Sequence, residues 1–324
     1  MMTILNVLFQ QIKGRKNMAK RNISVVVEFI LLGFADLPNY QGFLFSIFLF
    51  IYMGILVGNG LIIIITKIDP TLQIPMYFFL SHFSFLEICY TSVTLPRMLR
   101  NLLTQKRNIS FLACSVQLCF FLILGGTECF LLAVMAYDRY MAICNPLNYP
   151  LIMNPKACIM LVVGSWISAI PVQIAETYQI FSLSFCDSNK LNHVFCDVPP
   201  LLKLACGDIS VNEFYSYAGA ILFAMIPFLL ILLSYIKIIT TIQKLPSAMG
   251  RQKAFSTCSS HLMVVVLFFG SGIISYLLPN SKKSPSIDKI LSLIYSTVTP
   301  IFNPLIYCLR NKDILMALKK FLLK

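Results

Sequence analysis

Charge is scarce in this 324-residue chain: 12% of the residues are charged, and only 13 are acidic. With 58% hydrophobic residues and a mean hydropathy of +0.79, the composition lies outside the range of soluble globular domains and points to a membrane protein. Catalytic signatures are also missing. There is no HExxH, P-loop, GxSxG or Rossmann fingerprint, and the acids and histidines form no spaced hydrolytic set. The chain therefore reads as a non-enzyme. No alternating ten-residue pattern of a β-barrel occurs, so membrane spans have to be helices. A signal peptide is not apparent either, because the short apolar run 4–9 precedes its basic residues rather than following them.

What is present is a series of apolar tracts near 43–66, 76–98, 112–136, 157–176, 214–239, 260–279 and 287–308. Each is long enough to span a bilayer, and the loops between them are short. The reading is all-α: one seven-transmembrane bundle over 43–308, preceded by segment 1–42 and followed by 309–324. Residues 1–17 look like an unpatterned extension, and 309–324 reads as a short amphipathic, basic eighth helix on the inner leaflet. The 26 Lys and Arg sit in loops and tails, where they meet lipid headgroups rather than nucleic acid. They divide nearly evenly between the two sides, so charge does not choose an orientation. The sequons at Asn22 and Asn108 fall on one side of this topology and favour an outer N-terminus, Asn108 lying nearer the bilayer and being the weaker acceptor.

The tract from Phe111 to Ile143 organises the chain. Its 33 residues make a helix of about 50 Å, longer than the hydrocarbon core, with Cys114 near one end and Asp138-Arg139-Tyr140 near the other. Phe121, Leu122, Gly125, Gly126 and Cys129 recur at helical spacing and share one face. The two glycines either make room for a small guest or let another helix come close. Glu87 and Glu128 are the acids buried deep within the tracts, and acids at such depth need a partner. Two facing carboxyls repel unless they share a sodium ion or a proton, which is the reading here; the alternative is an incidental acid satisfied by the bundle. Asn59, between two glycines, should face the bundle. Unaided, these features favour a receptor over a transporter or channel, because the seven tracts show no paired halves.

Cysteines divide into apolar fillers and an informative set, Cys114, Cys186, Cys196 and Cys206, which permits three pairings. A zinc site with His193 is the alternative, but an outer face favours disulfides. The loop 176–211 reads as a crosslinked lid. In the last tract Pro300, Asn303, Pro304 and Tyr307 make a breakable helix.

Four motifs in order, MAYDRYMAIC at 135–144, PMYFFL at 75–80, KAFSTCSSHL at 253–262 and PIFNPLIYCLRN at 300–311, resemble the olfactory (odorant) receptors, a vertebrate branch of rhodopsin-like G-protein-coupled receptors. The resemblance covers about 18–322, and HVFCDVPPLLKLAC is similar to the tetrapod-type members. The family's usual start resembles Met18-Ala19-Lys20-Arg21-Asn22, which implies that 1–17 is either a basic extension or a start placed too early. It implies an extracellular N-terminus and bonds Cys114–Cys196 and Cys186–Cys206. It gives Asp138, Arg139 and Tyr140 the G-protein output, with Arg139 held by Asp138 at rest, and gives Asn303, Pro304 and Tyr307 the seventh-helix switch. Glu87 and Glu128 match an inner acidic pair. The implied partners are a small volatile hydrophobic odorant and the olfactory stimulatory G protein, which raises cyclic AMP.

The implied cavity lies between helices 3, 5, 6 and 7, with Phe269, Ser271, Ile274 and Tyr295 facing the helix-3 residues. No carboxylate stands high on helix 3, which disfavours an amine. One departure is Phe268-Phe269-Gly270, where members commonly read FYG, so a hydroxyl is lost at Phe269.

Overall fold

A computed structural model describes residues 26–185, 188–244, 248–277, 285–310 and 312–322. A short strand, β1 (Glu28–Leu31), precedes the first helix, α1 (Gln41–Ile68). There follow α2 (Pro75–Thr104), strand β2 (Asn108–Ser110), α3 (Phe111–Cys144) and α4 (Pro155–Ser182). Strands β3 (Ser184–Phe185), β4 (Lys190–Leu191) and β5 (Ala205–Cys206) belong to the loop after α4. Next come α5 (Ser210–Gln243) and α6 (Ala248–Leu277). Helix α7 consists of Pro285–Leu293, a π turn Ile294–Val298 and Thr299–Arg310, and α8 is Lys312–Leu322.

Five helices, α1 to α5, are each long and apolar enough to cross a bilayer. Helix α6 adds the apolar stretch His261–Leu277, and α7 closes a seven-helix bundle. Side chains such as Phe50 and Val57 on α1 stay exposed while Asn59 on the same helix is wholly buried. An outside more apolar than parts of the inside is what lipid contact selects.

The helices begin where the sequence supplies chemistry for free N–H groups. Ser110 Oγ accepts from the Ala113 amide at 3.2 Å and Asn154 Oδ1 from Ala157 at 3.0 Å. Pro75 and Pro155 stand at first helical positions, where no N–H is missed. Prolines inside the bundle are answered differently. Pro304 lacks the N–H that would bond the Pro300 carbonyl, and Asn59 Nδ2 donates to that carbonyl instead, at 3.4 Å. A Cβ on Gly58 would lie 3.0 Å from the Pro304 ring, so glycine there lets α1 seat the break in α7. In α5 a π turn, Ile221–Met225, lies just before Pro227, and the π turn of α7 likewise lies just before Pro300.

At the end of the bundle that carries the N-terminal segment, termed the outer end, β1 pairs antiparallel with β2 (Phe29 opposite Ile109) and parallel with β4 (Ile30 opposite Lys190). Beneath this sheet Phe29, Phe111, Phe181 and Phe185 pack ring against ring, at centroid distances from 5.0 to 6.5 Å. The cluster joins the N-terminal segment to the tops of α3 and α4. Asn108 lies in β2 and its side-chain amide donates to Glu28 at 3.0 Å. Asn22 lies outside the described residues.

Candidate functional site

Helix α3 runs through the centre, packed on α2, α4, α5 and α6. Its outer end is fixed to the loop by the disulfide Cys114–Cys196. Gln117, one turn in, adds a second tether: its Oε1 accepts from the Cys196 amide at 3.1 Å and its Nε2 donates to Val93 O at 2.9 Å. Cys206 is disulfide-bonded as well. Cys186 lies outside the described residues, and so does the bond expected of it. His193 takes no part in a thiolate site. Its buried ring donates from Nδ1 to the Phe195 carbonyl at 2.9 Å, and Nε2 meets Ser292 Oγ at 2.8 Å. Burial holds this imidazole below its usual pKa of 6.5; Asp197 and Asp288 oppose that effect and Lys289 adds to it.

The loop carries Asp197 down over the bundle. This carboxylate is only 2% exposed, and it accepts from Tyr276 Oη and Tyr295 Oη, each at 2.7 Å, and from the Val198 amide at 2.8 Å. Under that roof lies a cavity of about 110 Å³. Phe121, Leu122, Gly125, Gly126 and Cys129 all line it, as the helical spacing on α3 required, and Phe269 and Tyr295 face them. Phe121 stacks on Tyr90 with centroids 5.1 Å apart.

The two glycines differ. A Cβ at Gly125 would find ordinary space 3.7 Å from Tyr90, whereas one at Gly126 would crowd Phe223 at 3.2 Å and Ala169 and Gln173 at 3.4 Å. Gly126 is thus also a close-approach site for α4 and α5.

Two expected lining residues are not brought to the cavity. On α6 the wall is Phe268, Phe269, Gly272 and Tyr276, which share one face at ~100° per residue. Ile274 points nearly opposite and is 41% exposed, toward lipid. Ser271 turns aside and donates to its own helix, at the Leu267 and Phe268 carbonyls. Helices 2 and 4 were missing from the expected wall, yet Tyr90 of α2 and Gln173 and Glu176 of α4 line the cavity. Glu176 looked like the first residue of a loop because charge ends a hydropathic tract. The helix continues past it to Ser182.

Below the cavity is a wholly buried polar cluster. Glu87 accepts from Asn303 Nδ2 through Oε1, and the Glu128 carboxyl lies close enough to act on that of Glu87. Both Glu128 oxygens, Glu87 Oε2, Asn59 Oδ1 and Asn303 Oδ1 are buried and meet no amide, hydroxyl or cationic donor, while the two carboxyls are placed to hydrogen-bond each other when one is protonated. An oxygen-only set of this kind suits a hard cation or a shared proton. No cluster of three His, Cys, Asp or Glu that would hold a transition metal occurs among the described residues.

At the opposite end, termed the inner end, Asp138 accepts from the Tyr149 hydroxyl at 2.9 Å, and the Arg139 charge acts on it too. Burial, reinforced by Asp138, pushes the Tyr149 phenol above its usual pKa. Arg139 is 5% exposed, and the Tyr140 ring stacks on Tyr137 at 6.3 Å. Across the bundle Tyr235 Oη meets His261 Nδ1 at 2.8 Å, joining α5 to α6. Pro304 lies within α7, and the side chain of Tyr307 lies outside the described residues. A wider cleft of about 650 Å³ opens at this end, among Lys67, Tyr77, His82 and Tyr149, and shares no residue with the outer cavity.

A family model described as olfactory receptor matches residues 48–324. The chain belongs to the olfactory receptor family. It is 60% identical to human Olfactory receptor 10AG1 over 298 residues, covering 92% of this chain and 99% of that one. Human Olfactory receptor 10A3 is 50% identical over 303 residues, 94% of this chain and 96% of its own. Mouse Olfactory receptor 5AP2 is 48% identical over 311 residues, 96% and 98% respectively. The receptor is a multi-pass membrane protein and not an enzyme.

Proposed function

We propose that this receptor binds small volatile hydrophobic odorants in its outer cavity and answers by activating the olfactory stimulatory G protein, which raises cyclic AMP. The observation that carries the reading is the apolar cavity walled by Phe121 to Cys129 of α3, roofed by a disulfide-tethered loop. An apolar cavity of roughly 150 Å³ is known to hold a benzene-sized guest, so a space of this order fits small ligands. Aromatic and aliphatic walls favour a hydrophobic body.

The receptor is assigned to the plasma membrane with its N-terminus outside and C-terminus in the cytoplasm. Disulfides persist in oxidising compartments, and β1 pairs with strands at the disulfide-bearing end, which supports this orientation. Segment 1–42 is then extracellular, 43–308 spans the membrane, and 309–324 lies on the cytoplasmic side. Asn22 is the preferred glycan acceptor, since Asn108 is engaged in β2. Arg139, with Asp138 and Tyr140, meets the G protein, and Asn303, Pro304 and Tyr307 relay the change through α7. A sodium ion or shared proton between Glu87 and Glu128 stabilises the resting bundle; the orphaned buried oxygens support this.

The test is a cyclic AMP reporter in cells expressing the receptor at the surface, across an odorant panel, with Arg139→Ala beside the wild type. Some odorants should raise cyclic AMP in the wild type and not in the variant. A surface-expressed receptor that never responds, or an Arg139→Ala variant that responds equally, would overturn the proposal.

A further inference from the structure

The outer cavity is apolar on most of its wall and polar on one side. That side is built by Gln173 and Glu176 of α4 and by Ser216 of α5. A Cβ at Gly219 would stand 3.3 Å from Glu176 Oε2, so the absent side chain at 219 gives the carboxylate its place against α5. Gln173 is 4% exposed, and its Oε1 has no hydrogen-bond donor. Ser216 Oγ is likewise buried and stands beside the Glu176 carboxylate, on which its hydroxyl acts as a donor. No Lys, Arg or His lines the cavity, and no cation among the described residues pairs with Glu176.

The roof carboxylate differs. Asp197 has donors at both oxygens, so its acceptor capacity is already engaged. Glu176 is the carboxyl left for a guest. An acidic group at this depth, beside an unsatisfied amide oxygen, is costly until something brings positive charge and N–H donors to it. A carboxylate ligand would set like charge against like, and a pure hydrocarbon would leave the acceptors unmet.

We propose that this receptor recognises small organic ammonium ions, with an apolar body against Phe121, Phe223 and Phe269 and the nitrogen at Glu176, Gln173 Oε1 and Ser216 Oγ. The proposal rests on reading the cavity as the odorant site, and it adds the head group. The anchor is on α4 rather than high on α3, so the missing helix-3 carboxylate does not exclude an amine.

The experiment is thermal stabilisation of purified, detergent-solubilised receptor at neutral pH by n-hexylamine, hexan-1-ol and hexanoate. Hexylamine should stabilise at the lowest concentration and hexanoate least. Glu176→Gln should raise the half-effective hexylamine concentration by roughly tenfold to a hundredfold, the range for a lost hydrogen bond to a charged group, while hexan-1-ol is little changed. Glu176→Asp, which keeps the charge on a shorter stem, should retain part of the preference.

Equal or better stabilisation by hexanoate in the wild type overturns the proposal, whether or not the variants fold. So does a hexylamine response that survives Glu176→Gln unchanged. The readout needs no G protein, so it separates the two readings. Amine stabilisation in a receptor that never raises cyclic AMP would leave the site standing and remove the signalling role. Cyclic AMP responses without amine preference would do the reverse.

Discussion

The two ends of α3 are held by different kinds of bond. At the outer end the constraints are covalent or extensive: the Cys114–Cys196 disulfide, a three-stranded sheet and four packed phenylalanines. At the inner end they include individual polar contacts, Asp138 with Tyr149 and Cys144 with Thr241, beside Tyr235 with His261 between α5 and α6. Covalent and densely packed constraints hold one arrangement, whereas single hydrogen bonds exchange at small cost. The difference fits the proposed role, in which a shaped cavity at one end is read out by rearrangement at the other.

The comparison breaks most sharply at Cys114. Its bond closes a loop across a sequence separation of 82, for which chain entropy gives about 4.5 kcal/mol. Cys114→Ser should therefore abolish most folded receptor at the surface, measured by flow cytometry of an epitope-tagged chain. Unchanged surface level and unchanged signalling would show that the sheet and aromatic cluster hold the outer end alone.

A smaller effect should follow from acidifying the outer end. The buried His193 has its pKa lowered in the folded receptor, so below about pH 6.5 the unfolded chain takes up a proton that the folded one resists. That contribution is intact above the ordinary histidine value. It declines as pH falls beneath it, by at most ~1.4 kcal/mol per pH unit. The melting temperature of purified receptor should drop between pH 6.5 and lower values, and His193→Gln should start less stable and vary less with pH. An identical pH slope in both would remove His193 from the account.

The smallest effect is expected inside. Tyr149→Phe removes one hydrogen bond to Asp138, on the order of 1 to 2 kcal/mol. Basal cyclic AMP without odorant should rise a few-fold while surface expression is nearly unchanged. A fall in surface level as large as that of Cys114→Ser would erase the contrast between the ends.

Some of this was legible before any coordinates. Seven apolar tracts gave the helices because hydropathy over a span is a local property, and the cavity face of α3 followed from period alone. The α6 wall was misplaced at Ser271 and Ile274 because those positions came from family analogy and not from the face that Phe268, Gly272 and Tyr276 define. Glu176 was missed because a charged residue at the edge of an apolar tract resembles the start of a loop. Phe29, Phe111, Phe181 and Phe185 were invisible as a cluster because their partnership is set by tertiary folding across more than 150 positions. The role of Gly58 and Asn59 in seating Pro304 is of the same kind: the residues are conspicuous, but their partner lies on the far side of the sequence.

The π turns of α5 and α7 give the cavity a mechanical property. Each holds one surplus residue in its turn, and each presents lining side chains, Phe223 and Ala224 in one and Tyr295 in the other. Moving a surplus residue along a helix turns the segment it passes by about 100°, with hydrogen bonds swapping acceptors rather than disappearing. Phe223 and Tyr295 thus stand on the turns that hold the surplus residue. Tyr235 and Asn303, which bond His261 and Glu87, lie further along these same two helices.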